Sequence, residues 1–314
     1  MPYQAAMDIG SNSVKTTVVL AEAPLSEIVA KRSKVTRLGQ GIAEHCLHDE
    51  AMQRTIAAMD EQLAWLGQEY SSFEVVIGAT SAVRDAENGV VFLERCQRKL
   101  GLTAPPYLLS GEQEASCTFM GASCAVAPDV FFLNADPGGG STEISFGLSG
   151  KRLMEYRSFQ VGAVRWGERF DLEGPSTPLA RAEALKTAES LFEGFNKTSQ
   201  MMGKTVPALS ISGGSAFMVG SLAAGHLIKP AEYAIPVNTD TIAGLIDQLG
   251  PMDIETRKKV PGMPDDRANV AVSALIIILA LLHALKFHSF TPNPYGLRQG
   301  LLLGLRQGEF QANL

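Results

Sequence analysis

Two related α/β halves in one chain of 314 residues are what this sequence predicts, and three observations carry that reading. The length exceeds one typical domain of about 100 to 200 residues, so two domains are the default. Short strand-like runs alternate with stretches of helical periodicity, which is the pattern of α/β folds. The pattern also restarts midway. Asp8-Ile-Gly-Ser-Asn-Ser13 returns as Asp136-Pro-Gly-Gly-Gly-Ser141, both of the form D-x-G-x-x-S, and Ile77-Gly-Ala-Thr-Ser81 has a counterpart in Ile211-Ser-Gly-Gly-Ser215. Each match is short, but their common order argues for a repeat.

In the first half, residues 5–9 and 14–20 read as strands around the turn Gly10-Ser-Asn-Ser13, and residues 27–35 read as a third strand. Residues 50–69 carry Met52, Ile56, Met59, Leu63 and Leu66 at helical spacing. A strand at 73–77, a helix at 90–100 and a strand at 107–109 follow. Ser110 then stands as an N-cap before a helix to about residue 122. The second half opens with strands at 130–135, 142–147 and 152–159 around the turn Gly138-Gly-Gly140. Helices at 164–170 and 178–196 precede a strand at 208–211. Residues 270–285 are uncharged, include Ser273 and His283, and fall short of the roughly 18 to 20 apolar residues of a spanning helix. The expectation there is an interior helix of the second half, and no membrane partner.

Composition narrows the function. With 46% hydrophobic residues the chain can bury enough surface to offset ordering entropy, which excludes intrinsic disorder. Its formal net charge of −6 lacks the basic excess of a nucleic-acid binder. Lys31-Arg-Ser-Lys34 with Arg37 is a local basic stretch, read as a solvated strand edge or a site for an anionic ligand. Four cysteines without a C-x-x-C pair argue for a reducing compartment and against a disulfide framework or a structural zinc site. His45, Cys46 and His48 are close in sequence but lack further ligands nearby. The chain enters a strand pattern at once, with no signal-peptide pattern, so a cytoplasmic location is expected.

A strand ending in Asp, then a glycine-rich turn and a second strand, sets a carboxylate beside exposed backbone N–H groups. Those groups can cradle phosphate oxygens, and glycine permits the close approach. The Asp can hold a divalent cation that screens phosphate charge. Plain tight turns use the same residues, so it is the pairing of two such hairpins that favours function. Strand alternation puts Ser141 and Glu143 on one side, where they can converge with Asp136 on a metal–phosphate centre. Glu112 and Glu114 open a helix, where a carboxylate is often a dipole partner. Glu114 has a second reading, as the base for a water that attacks phosphorus. Arg84 pairs with Asp85 or a helix end, or else clamps a phosphate oxygen.

These residues, taken together, resemble the exopolyphosphatase and guanosine pentaphosphate phosphohydrolase family. The resemblance lies in Asp8–Ser13, Ala79-Thr-Ser-Ala-Val-Arg-Asp-Ala-Glu-Asn88, Ser110-Gly-Glu-Gln-Glu-Ala115 and Asp136-Pro-Gly-Gly-Gly-Ser-Thr-Glu143. It continues in Ser212-Gly-Gly-Ser215, Arg267-Ala-Asn-Val270 and Gly296-Leu-Arg-Gln-Gly-Leu-Leu302, and so spans essentially the whole chain. The resemblance implies an α/β fold of two ribonuclease-H-like domains around a cleft, as in actin, the sugar kinases and the heat-shock ATPase domain. It places the first domain at 1–127, joined by a C-terminal helix at about 298–314, and the second at 128–297. It implies Mg²⁺, with Mn²⁺ as a substitute, and release of terminal phosphate from inorganic polyphosphate or guanosine pentaphosphate.

Carried over by position, the resemblance makes Glu114 the catalytic base and Arg84 the arginine on phosphate. Asp8, Asp136 and Glu143 become the metal and water ligands. Ser11, Asn12 and Ser13, then Gly138, Gly139, Gly140, Ser141 and Thr142, and then Gly213, Gly214 and Ser215 become the phosphate-binding set. Gln113 stands where many members have a second glutamate, and Pro137 where isoleucine is usual; proline removes one N–H from the loop. The extra C-terminal domains of longer relatives, used there in dimer contacts, are not expected, and a homodimer is carried as a partner expectation. The first expectation is therefore an exopolyphosphatase. Guanosine pentaphosphate hydrolysis in the stringent response and a nonenzymatic sensor of polyphosphate or guanosine tetraphosphate are the alternatives. A phosphotransferase would put the phosphate on an acceptor instead. Against the sensor stands Glu114, since a binder of polyanions has no need for an unpaired carboxylate.

Overall fold

A short apolar run, Ala5-Ala6-Met7 with Ile9, starts the chain as a strand buried on both faces, and the D-x-G-x-x-S turn folds it back into the β-branched run at residues 14–19. In the computed structural model, which describes residues 2–40, 45–195 and 209–314, that hairpin is β1 (Tyr3–Ile9) and β2 (Ser13–Leu20). β3 (Ile28–Val35) adds antiparallel to β2 and forms an edge that is largely exposed. β4 (Phe73–Ala79) and β5 (Tyr107–Leu108) add in parallel on the other side of β1, giving the order β3-β2-β1-β4-β5.

The second sheet repeats this plan. β6 (Phe131–Pro137), β7 (Thr142–Leu148) and β8 (Arg152–Phe159) form the antiparallel meander, and β9 (Leu209–Ser212) pairs in parallel with β6. β10 (Val237–Asn238) caps the far edge of β11 (Ser289–Asn293), so the order is β10-β11-β9-β6-β7-β8. Without that added edge, both sheets read 3-2-1-4-5 in their own chain order, the ribonuclease-H-like arrangement. The chain divides into one unit of Met1–Cys124 with Tyr295–Leu314 and a second of Ala125–Pro294.

In the first unit the central strands are buried on both faces. Ala5, Met7 and Ile9 meet Met59, Leu66 and Phe92 on one side, while Ala6 and Val19 meet Leu301 and Leu302 on the other. The second side is covered by helices Gly111–Ala122 and Leu297–Gln307, which touch backbone to backbone. A Cβ on Gly121 would lie 1.9 Å from the Gly296 carbonyl oxygen, and one on Gly300 would lie 1.9 Å from that of Cys117. Gly300→Ala should therefore cost about 1 to 3 kcal/mol, the usual penalty of overpacking, and chemical denaturation would read it. A variant as stable as the parent would show that these helices part freely.

In the second unit the helix Ala271–Leu285 runs through the core with every residue buried except His283, as its uncharged sequence predicts. His283 reaches out to Glu189, with Nδ1 2.6 Å from Oε1. No described helix is long and apolar enough to cross a membrane. The helix predicted at 178–196 is α-helical over Pro178–Phe192 and continues as a 3₁₀ turn over Glu193–Phe195. Residues 196 and 208, which bound two of the predicted elements, lie outside the described residues.

Candidate functional site

Each hairpin closes its turn with the same hydrogen bond. The N–H of Gly10 donates to the Ser13 carbonyl at 3.1 Å, and that of Gly138 donates to the Ser141 carbonyl at 2.8 Å. The aspartates sit at equivalent places, yet their cross-strand partners have opposite charge. Asp8 faces Lys15, whereas Asp136 faces Glu143. The repeat thus offers one hairpin with a cation opposite its Asp and one with a second carboxylate.

In the first unit, the loop carbonyls are held by the segment after β3. The N–H groups of Thr36 and Arg37 both donate to Asn12 at 2.9 Å, and that of Gly39 donates to Ser11 at 2.8 Å. The hydroxyls of Ser11 and Ser81 lie 3.2 Å apart, and Ser13 is buried. Burial pushes the Asp8 carboxyl above its usual range, while the charges of Lys15 and Arg298 pull it back.

Glu114 lies in the first turn of Gly111–Ala122, which begins at a capping box. Ser110 Oγ accepts from the Gln113 N–H at 3.1 Å, and Gln113 Oε1 accepts from the Ser110 N–H at 2.9 Å. Gln113 is therefore a cap residue that fixes the helix start, one position before the carboxylate. The Glu114 carboxylate is ion-paired: Arg84 Nη1 donates to Oε2 at 2.8 Å and to the Leu109 carbonyl at 3.0 Å. This corrects the reading of an unpaired carboxylate. Sequence spacing does not show that Arg84 reaches a helix that starts after β5. Arg84 Nε also lies 3.8 Å from Asp85 Oδ1, the neighbour that the sequence offered.

In the second unit, the N-terminus of helix Ala163–Arg169 takes up the glycine loop. The N–H of Ala163 donates to Gly138 and that of Val164 to Gly139, both at 2.9 Å, and Arg165 Nε donates to the Gly140 carbonyl at 2.9 Å. Glu143 Oε1 accepts from Ser141 Oγ and from Ser158 Oγ, both at 2.7 Å. Gly213 has φ +85°, and a Cβ there would lie 2.4 Å from Asp136 Oδ1. Only glycine lets this backbone lie against that carboxylate. Gly214 packs likewise against the guanidinium of Arg267, with a Cβ 2.3 Å from Nη2. Thr142 and Ser215 are buried, their hydroxyls donated to the carbonyls of Val161 and Pro137. Their visible contribution is to the shape of the loop.

Asp136, Ser141, Glu143 and Gly213 are thus brought together in one unit, and Arg84 with Glu114 in the other. Ser158 and Arg165 escaped the sequence reading, and Ser158 could have been found only from the register Glu143↔Ser158. For a divalent cation, the described residues hold no cluster of three His, Cys, Asp or Glu side chains. Mg²⁺ is typically held by one or two carboxylates together with substrate phosphates and water, and hard oxygen donors suit it. Asp136 with Glu143 fits that description.

The sequence pattern of the Ppx/GppA phosphatase family matches residues 17–309. A guanosine-5'-triphosphate,3'-diphosphate pyrophosphatase of Vibrio parahaemolyticus is 29% identical over 99% of this chain and 61% of its own length. Its counterpart in Aeromonas salmonicida is 28% identical over 97% of this chain and 59% of its own. The chain spans about three-fifths of the length of the curated relatives it matches. Among solved structures, a Ppx/GppA family member from Aquifex aeolicus is 25% identical with a TM-score of 0.80, covering 99% of both chains. An exopolyphosphatase from Cytophaga hutchinsonii shares the fold, with a TM-score of 0.84 at 22% identity over 98% of both chains.

Proposed function

The chain belongs to the Ppx/GppA phosphatase family, and from that premise we propose that it hydrolyses the terminal phosphoanhydride of guanosine pentaphosphate, releasing orthophosphate. The observation that carries the choice of substrate is that relatives named for guanosine-5'-triphosphate,3'-diphosphate align over 97 to 99% of this chain. Polyphosphate, the first expectation from the sequence, has weaker support, because the exopolyphosphatase at 22% identity is a likeness of fold alone.

In the reaction, Glu114 takes the proton of the water that attacks the terminal phosphorus, and the bond to the bridging oxygen breaks. Arg84 holds the Glu114 carboxylate in place and directs positive charge toward the phosphate oxygens. The serine and glycine loops orient the phosphate through their backbone N–H groups. Asp136 and Glu143 would hold a Mg²⁺ or Mn²⁺, which when bound neutralises charge on the phosphate oxygens. Ser141 and Ser158 fix one oxygen of Glu143 and so its orientation.

The test is orthophosphate release from guanosine pentaphosphate and from polyphosphates of defined length, with and without exhaustive chelation. Faster release from guanosine pentaphosphate, abolished by chelator, is the expected result. Preference for polyphosphate would restore the exopolyphosphatase reading. Binding without release from either would make the chain a sensor, and full activity after chelation would remove the metal.

A further inference from the structure

On one sheet face of the first unit, two cations outside the residues assigned to hydrolysis are neighbours of a single threonine, one by strand register and one by a hydrogen bond. Lys31 on β3 is the register partner of Thr17 on β2, so the two side chains leave the same face. Arg298, near the start of helix Leu297–Gln307, donates its Nε to Thr17 Oγ1 at 2.7 Å. Thr17 itself is buried. Two residues back along β2, on that same face, stands Lys15 opposite Asp8. At about 3.3 Å of rise per residue, Thr17 lies roughly 7 Å from Lys15 along the strand.

We propose that Lys31 and Arg298 form a second anion subsite, which takes a phosphate group of the substrate remote from the bond that is cut. The proposal rests on the guanosine pentaphosphate reading, in which that group is the 3'-diphosphate. Nothing about the fold requires a lysine on the open edge strand to approach an arginine of the C-terminal helix. Two like charges held together raise each other's free energy; the Asp8 carboxyl offsets part of this at Arg298, and an anion beside Lys31 would offset the rest. The ammonium of Lys31 registers that situation. Burial first, and then the positive charge of Arg298, lower its pKa to about 8. The residue as a whole is exposed, and solvent weakens that lowering. It remains mostly protonated at neutral pH and ready to pair with phosphate.

GTP has the same 5'-triphosphate but no 3'-diphosphate, so the two nucleotides separate the subsite from the reaction. The experiment measures kcat/KM for guanosine pentaphosphate and for GTP in the parent, Lys31→Gln and Lys31→Arg. Lys31→Gln should lower the ratio of the two by roughly tenfold, the worth of one charge-assisted contact, and Lys31→Arg should restore most of it. Polyphosphate serves as a further arm. A fall seen with polyphosphate alone supports the subsite but assigns it to a linear chain. No fall with any substrate, or a fall that Lys31→Arg fails to rescue, overturns it. If the parent released phosphate from none of them, the functional reading would fail by itself. Calorimetric affinity for guanosine tetraphosphate against GDP would then still test the subsite, with loss of the difference in Lys31→Gln as the supporting result and an unchanged difference as the refutation.

Discussion

Glu114→Gln is expected to cut turnover by roughly 10² to 10⁴, the usual worth of a positioned general base, while substrate still binds. Glutamine keeps the size of the side chain and an oxygen to accept from Arg84 Nη1, now 2.8 Å from Glu114 Oε2. The loss should therefore appear in kcat and leave KM nearly unchanged, and the folded state should survive. Single-turnover release of orthophosphate with enzyme in excess would separate the chemical step from binding. Near-normal turnover would reduce Glu114 to a partner of Arg84 that anchors the helix start. Arg84→Gln is the useful companion, because it removes the positive charge beside the Glu114 carboxylate.

Arg257→Met should be the most destabilising single change in the second unit. Arg257 is fully buried and has no surface role. Its guanidinium donates to the carbonyls of Leu172, Glu173 and Gly174 in one loop, of Leu249 at the end of helix Thr239–Leu249, and of Ala268 before helix Ala271–Leu285. Burial lowers its pKa, and the carbonyls offset the cost of desolvating the guanidinium. Methionine fills much of the volume but leaves the acceptors without donors, each worth about 1 to 3 kcal/mol and not additive. A loss of about 3 to 5 kcal/mol follows, and roughly 10 °C in melting temperature for a unit of this size. Thermal unfolding followed by circular dichroism reads it. A shift of a degree or two would mean that water replaces the guanidinium.

The fold was legible to the extent that its signals were local. The interior helix Ala271–Leu285 announced itself by an uncharged apolar run, and the capped helix Gly111–Ala122 by Ser110. The helix Thr239–Leu249 carries the same kind of signal, an Asn238 cap and Ile242, Leu245, Ile246 and Leu249 at helical spacing, but it is not among the predicted elements. By contrast Gly213–Ala224 opens on two glycines, which are poor helix formers, and shows no polar face; its helical state comes from packing in the core. Arg257 was invisible, because a lone arginine in a charged segment reads as surface until five carbonyls are seen around it.

The sequence by itself determined that two α/β halves repeat, that each opens with an Asp-bearing hairpin, and which family's motifs they carry. Hydrophobic period and turn chemistry are properties of neighbouring residues, so they can be read in order along the chain. Only the tertiary structure decided that Glu114 is paired with Arg84, 30 residues away, and that Ser158 locks Glu143. It also decided that Lys15 and Glu143 occupy the same place opposite their aspartates, and that Lys31 and Arg298 are both neighbours of Thr17. Strand register and helix docking set these meetings, and both are fixed by burying whole faces against each other, a condition that no short stretch of sequence contains.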